Sequence, residues 1–266
     1  MRKFSAPAQY LPGTSPIHLL DPRCKLICGF VFIIAVLMAK TPLSLTICAL
    51  FAGIALMLSR ISLRNICRSI APLLILAIIA ALMNLFFVQE GPILFQLGFI
   101  KISEQGYLTA CFIGSRLLIM VMGMGIITLT TPNLDITEAF ERIGKPLRFL
   151  HVPVHELAMM MSLALKFIPQ FSEELFVVYM AQISRGASFS KGGILQRLKA
   201  VSALIIPLFS SALRHAETLS FAMEARCYHG EEGRTRLHQL KYNTCDAIAY
   251  FFTFTFFAGI LLLNYL

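Results

Sequence analysis

The sequence predicts an all-α integral membrane protein with about five transmembrane helices and three further helices that are cytoplasmic or interfacial. Hydrophobic residues fill 57% of the 266 positions and charged residues only 14%, with a mean hydropathy of +0.75. These are the values of a chain whose solvent is the bilayer. Five stretches are free or nearly free of charge, and the basic segment between the fourth and fifth carries helical rather than strand-like periodicity.

The apolar stretches are 26–39, 41–59, 70–89, 106–131 and 247–266. The last four reach the roughly 17–25 residues that a helix needs to cross hydrocarbon. The first does so only if residues 22–25 supply an opening turn, with Lys25 snorkelling to the interface. Asp21-Pro22-Arg23 reads as a helix N-cap followed by a first-turn proline, with Arg23 at the interface, although a functional role for the three is the alternative. Residues 1–14 lack a signal-peptide pattern, since they hold two prolines and a glycine and no apolar run.

Orientation follows from Lys and Arg, which accumulate in cytoplasmic loops. With the N-terminus cytoplasmic, 20 of the 23 basic residues fall inside. The short loops alone place seven inside and only Lys40 and Lys101 outside. Arg60, Arg64 and Arg68 are assigned to the loop between the second and third spans. The net charge of +9 is thus mostly a topology signal. It calls for membrane lipid as a partner and for no nucleic acid. The chain divides into 1–131, a membrane part with four spans, 132–245, a cytoplasmic helical region, and 246–266, a closing span.

Within 132–245, punctuation marks three helices. The first opens on Asp135 as N-cap, with Glu138 three residues on as a capping-box variant, and breaks at Gly144 to Pro146. The second runs from about Pro153 to Arg185, with Gly186 placed to end it. The third runs from about Ile194 to Tyr228, with Gly230 as its stop. Helices of more than thirty residues extend on the order of 50 Å, too long for upright spans. Leu157, Met160, Met161, Ala164, Leu165, Ile168, Phe171 and Leu175 form an apolar stripe that needs a partner or the membrane interface. Pro169 and Pro207 should kink the two rods. Proline is followed by an acidic residue and a terminal arginine in both, at 16 residues from Pro169 to Arg185 and 19 from Pro207 to Arg226.

Arg185 lies between Ser184 and Gly186, and Arg226 between Ala225 and Cys227. Small neighbours permit close approach of another surface, and a guanidinium can bind a carboxylate through two parallel hydrogen bonds. The simpler alternative for either is a cation complementing the helix macrodipole.

Tyr10-Leu-Pro-Gly13-Thr-Ser15-Pro16-Ile-His18-Leu-Leu-Asp21-Pro22-Arg23-Cys-Lys25-Leu26 resembles the N-terminal signature of the transmembrane (T) component of energy-coupling-factor transporters. Met161 through Pro169 and Glu173-Glu174 to Arg185-Gly186 resembles the first coupling motif of that family. Pro207 through Arg214 to Ala222-Met223-Glu224-Ala225-Arg226 resembles the second. The likeness covers residues 10 to about 230. The family pattern is Ala-Arg-Gly at both sites, so Ser184 and Cys227 are departures that keep the neighbours small.

The resemblance implies a coupling subunit of an ATP-driven importer of vitamins or other micronutrients in a prokaryotic cell membrane. It implies two cytosolic ATPase subunits, bound through Ser184, Arg185, Gly186, Ala225, Arg226 and Cys227. It further implies a membrane substrate-binding (S) component. The chain itself would be non-catalytic and bind no cofactor, ATP and Mg residing on the partner ATPases. The sequence agrees, since G-x-x-x-x-G-K-[ST] does not occur in it.

Other readings attach to particular residues. His151, His155 and Glu156 suggest a metal-dependent membrane enzyme, but Pro153 between the histidines and the want of a third ligand favour an interfacial cap. A stand-alone secondary carrier would need paired intramembrane acids that the spans lack. Arg116, inside the fourth span, suggests an ion path, or snorkelling, or pairing with a neighbouring subunit. The seven cysteines, Cys24, Cys28, Cys48, Cys67, Cys111, Cys227 and Cys245, show no metal-ligand spacing and read as small packing residues.

Overall fold

The computed structural model describes residues 10–87, 92–97, 100–150, 152–187, 189, 193–230 and 242–265. They fall into two compact units, one within 9–139 and 239–266, the other within 140–238.

All five predicted apolar stretches are helices of the first unit: α1 Pro22–Met38, α2 Pro42–Ser59, α3 Leu63–Phe87, α4 Glu104–Thr130 and α8 Thr244–Tyr265. Of these α2, α4 and α8 are individually long and apolar enough to cross a membrane, while the apolar part of α3 is Leu73–Phe87. The predicted end of the third span at Gln89 lies outside the described residues. Arg64 and Arg68, assigned by sequence to a loop, belong instead to the opening turns of α3. Arginine is a strong helix former, so the helix runs on past the apolar segment. The fold is all-α apart from a hairpin of β1 Ile93–Leu97 and β2 Ile100–Ser103, paired antiparallel with Leu97 opposite Ile100. α5, Asn133–Ile143, begins two residues before the predicted cap, so Asp135 sits within the first turn and does not cap it. Burial, reinforced by the neighbouring charge of Glu138, holds the Asp135 carboxyl above its ordinary range.

The core of this unit joins α1, α2, α4 and α8. Phe32, Val36, Leu45, Cys48, Ile119 and Ile260 are buried in one cluster. Packed against it, Phe51 stacks on Phe256 with ring centroids 4.3 Å apart, and the buried Phe32 stacks on both at 5.8 and 6.2 Å. α1 and α4 approach closely because glycine faces a large side chain from each direction. A methyl group at Gly29 would collide with Ile127, and one at Gly123 with Phe32. Small residues let helix backbones come together where lipid supplies no hydrophobic drive.

Polar contacts fix the helix directions. Lys25 Nζ, near the start of α1, donates to the Thr130 carbonyl at the end of α4 at 3.2 Å. Arg116, midway along α4, donates to the Ala39 carbonyl that caps α1. The two helices therefore run antiparallel. Asp246, in the first turn of α8, accepts the Asp21 N–H at the start of α1 at 2.8 Å. At the other end Asn264 accepts the Lys40 N–H at 3.2 Å and donates to the Met38 carbonyl at 2.7 Å. α1 and α8 therefore run parallel, tied at both ends. The chain leaves this unit after α4 and re-enters it at α8 from one and the same end.

Two sequence expectations are corrected here. Lys25 does not snorkel, because it is 6% exposed and its ammonium is taken up by the carbonyls of His18 and Thr130. Arg23 is held inside the protein rather than against lipid headgroups: it is buried, 3.7 Å from Asp21 and 5.1 Å above the Tyr242 ring. Arg116 pairs within the chain, with the terminal carbonyl of α1 and the face of Phe112 at 4.8 Å. A helix C-terminus carries unsatisfied carbonyls and partial negative charge, so a buried guanidinium finds its partner there. Asp21 does cap α1, accepting from the Arg23 N–H at 2.9 Å. Cys24 and Cys48 are buried as expected, but Cys111, Cys227 and Cys245 are exposed.

The N-terminal signature is a built structure. The His18 ring donates from Nε2 to the Leu11 carbonyl at 3.0 Å, which leaves Nδ1 to accept from the Ser15 hydroxyl at 2.6 Å. The ring fills the space that a side chain on Gly13 would need. The Leu11 N–H in turn donates to the Leu129 carbonyl at 3.0 Å. Gly13, Ser15, His18, Asp21 and Lys25 thus close one end of the helix group.

Asp246 is 2% exposed and also accepts the Asn243 N–H at 2.7 Å, the backward half of a capping box. Replacing it by alanine strands two N–H groups, one of them buried, and should destabilise the unit by about 3 kcal/mol. Asp246→Asn, which keeps one carbonyl oxygen, should cost less. Thermal unfolding in detergent distinguishes the two, and equal midpoints for both variants and wild type would refute the tie.

Candidate functional site

The second unit contains a short 3-10 helix, Lys145–Leu150, and two long helices, α6 Val154–Ser184 and α7 Ile194–Glu224, each of 31 residues. Both carry their proline inside, Pro169 and Pro207, and neither is broken by it. α7 ends four residues before the predicted Tyr228, because the chain has already turned at Cys227.

Both arginines occupy the same structural position. Gly186 has φ of 85° and Cys227 of 54°, the left-handed region that ends a helix. Around Gly186 the Ala187 N–H bonds the Gln182 carbonyl at 3.0 Å and the Gly186 N–H the Ile183 carbonyl at 2.9 Å. Around Cys227 the Tyr228 N–H bonds Met223 at 3.1 Å and the Cys227 N–H bonds Glu224 at 2.9 Å. Each set is a complete Schellman motif. Arg185 and Arg226 are in both cases the residue immediately before the left-handed one. Ser184, Arg185, Gly186, Ala225, Arg226 and Cys227 are all exposed. Among the described residues neither guanidinium has a carboxylate partner.

The helices meet through their middles and run in opposite directions. Phe167 of α6 stacks on His215 of α7 with centroids 6.2 Å apart. The His215 Nε2–H donates to Glu174 Oε1 at 2.7 Å, and the Ser211 hydroxyl donates to Glu174 Oε2 at 2.9 Å. Further along, Val177 and Val178 face Pro207 and Leu208 across a shallow cleft. Because the helices are opposed, their arginine tips lie at opposite ends of the pair. The spacing is on the order of 40 Å for helices of this length. The bonds from His215 and Ser211 hold the Glu174 carboxyl below its ordinary range.

Much of the apolar stripe on α6 is open among the described residues: Leu157, Met160, Met161, Ile168 and Leu175 are 40–55% exposed. Of the candidate metal ligands, His151 lies outside the described residues. His155 Nδ1 is 3.0 Å from Glu141 and its Nε2 is 3.3 Å from the Tyr228 hydroxyl. Its ring therefore already has two protein partners. Sequence reasoning missed the Glu174–His215 and His155–Tyr228 pairs. Residues 41 and 73 positions apart become neighbours only once the helices are known to be opposed.

Two outcomes follow from this geometry. Cys227 adopts a backbone conformation that costs a residue with a Cβ about 1 kcal/mol relative to glycine. Cys227→Gly should therefore slow amide exchange of the last turn of α7, whereas Gly186→Cys should speed it in α6. For Glu174, the folded-state value lies below the unfolded one. Its contribution is thus complete above the ordinary carboxylate pKa of 4.5 and is lost as pH falls through the depressed value. Spin-label distances between α6 and α7 should broaden in that acid window, and Glu174→Gln should remove the acid step.

Residues 13–237 match the family model CbiQ, described as a cobalt transport protein. The energy-coupling factor transporter transmembrane protein EcfT of Ruminiclostridium cellulolyticum is 37% identical over 257 residues, covering 97% of this chain and 96% of that protein. The EcfT of Bacillus subtilis is 39% identical over 238 residues, 90% of each chain. That of Brevibacillus brevis is 41% identical over 240 residues, covering 90% of this chain and 91% of that protein. A membrane unit of apolar helices, a second unit of two long opposed helices, and this extent of likeness agree, and the chain belongs to the family of transmembrane components of energy-coupling factor transporters.

Proposed function

We propose that this chain is the passive coupling scaffold of its transporter, with Arg185 and Arg226 each seated in one of two cytosolic ATPase subunits. The observation that carries the reading is the equivalence of the two tips. Each arginine is exposed, flanked by small residues and presented by the same terminal turn. The tips lie at opposite ends of one helix pair, a spacing suited to two separate partners. A guanidinium so placed can take a carboxylate bidentately. Ser184, Gly186, Ala225 and Cys227 leave room for the partner surface to close around it.

In this reading ATP and Mg are held by the ATPase subunits, and this chain binds no cofactor and catalyses no reaction. Closure of the ATPase pair moves the tips relative to each other. The rods, hinged where Glu174 meets His215 and Ser211, pass that motion to a membrane S component resting on the exposed stripe of α6. The cargo, a vitamin or other micronutrient, is recognised by that S component. The protein lies in the plasma membrane of a prokaryote with its N-terminus and second unit cytoplasmic. The excess of Lys and Arg in the short loops on that side supports that orientation, as does the common end at which α1 and α8 begin and α4 finishes.

Removing a charge-assisted hydrogen-bond pair costs about 1.5–3 kcal/mol, or roughly 10- to 150-fold in affinity. Arg185→Ala and Arg226→Ala should each weaken ATPase-subunit binding by a factor in that range. The double variant should abolish co-purification and uptake while leaving membrane insertion intact. Undiminished association together with normal uptake in the double variant would remove both arginines from the mechanism.

A further inference from the structure

We infer that His155 and Tyr228 are positioning residues that set the attitude of the Arg226 tip; the inference rests on the reading of that arginine as an ATPase contact. Tyr228 stands two residues beyond Arg226 and is held from both sides. Its backbone N–H closes the terminal turn on Met223 at 3.1 Å. Its hydroxyl lies 3.3 Å from His155 Nε2 and 3.0 Å from Met159 Sδ, both on the opening turns of α6. His155 is 8% exposed, and its other nitrogen is 3.0 Å from Glu141 of α5. The end of α7 is thereby pinned to the beginning of α6 and to the helix preceding it.

The pin holds in either protonation state of the ring. When His155 is neutral with its proton on Nδ1, it donates to Glu141 and Nε2 accepts the tyrosine O–H. When it is charged, both nitrogens donate, and the tyrosine proton turns to the Met159 sulfur. One contact is exchanged for another and the ring of Tyr228 keeps its place. The Arg185 tip is built differently. The residue equivalent to Tyr228 there is Ala187, which has no polar side chain. One tip is therefore oriented by a half-buried three-residue chain and the other by its glycine turn.

A turn that ends a helix frays readily, since its last carbonyls lie outside the regular ladder. Pinning the residue after the turn limits rotation of the tip about the α7 axis. It presents the Arg226 guanidinium in one direction before the partner arrives, which lowers the ordering cost of binding. The test is a double-variant cycle on the full chain, reading affinity for its ATPase subunits. Tyr228→Phe, which keeps the ring and removes the hydroxyl, should weaken binding about fivefold, the scale of one neutral hydrogen bond. It should add nothing in an Arg226→Ala background and keep its whole effect in an Arg185→Ala background. Wild-type affinity in Tyr228→Phe, or the same fivefold loss on top of Arg226→Ala, overturns the inference. A silent Arg226→Ala overturns the docking reading instead. Amide exchange at Cys227 and Tyr228 then decides the positioning role by itself. It should quicken in Tyr228→Phe and in His155→Ala, and unchanged protection in both variants overturns that role.

Discussion

The arrangement rests on one constraint: polar groups at the ends of apolar helices must find partners inside the protein. Asp246 meets it for two helices at once, capping α8 through the Asn243 N–H and tying it to α1 through the Asp21 N–H. Lys25 does the same between α1 and α4 by spanning the carbonyls of His18 and Thr130. Arg116 and Asn264 close the opposite ends. Each would be costly in a low-dielectric setting without its partner. With the partners in place, the directions of α1, α4 and α8 are set.

The second unit answers a different demand. Its helices must be stiff enough to carry a displacement and still join at one place. The joint is polar and compact, with Glu174 accepting from His215 and Ser211 while Phe167 and Phe171 pack on the same imidazole. Pro169 and Pro207 lie near it, where a missing backbone donor permits bending without breaking the helix. Each far end is finished by the same turn. That turn shows why the small residue after each arginine has a backbone task in addition to leaving space. Gly186 takes its left-handed conformation freely, and Cys227 takes it under strain.

Much of this was legible in the sequence because it is written locally. The five apolar stretches, the Asp21 cap, the Gly186 stop and the two arginines flanked by small residues all declare themselves within a few positions. What was not legible depends on partners distant along the chain. Lys25 and Arg23 look like interfacial cations until α4 and Tyr242 are seen to meet them. Arg116 reads as a snorkelling residue or one that pairs with another subunit until the carbonyl of Ala39 arrives. His155 reads as part of an interfacial cap, and Glu141 and Tyr228 are seen to take its two nitrogens only in the fold. Arg64 and Arg68 were misplaced for another reason, since hydropathy marks where a helix is apolar and not where it begins.

The parallel pairing of α1 with α8 also bears on biogenesis. The N–H that Asp246 satisfies belongs to a residue 225 positions earlier, so α1 waits for α8. Until α8 is made, the Asp21 N–H lacks its acceptor, while Lys25, Arg116, Gly29 and Gly123 already hold α1 against α4. Chains that lack α8 therefore leave the entrance of α1 unsealed, and α8 is the helix that completes the bundle.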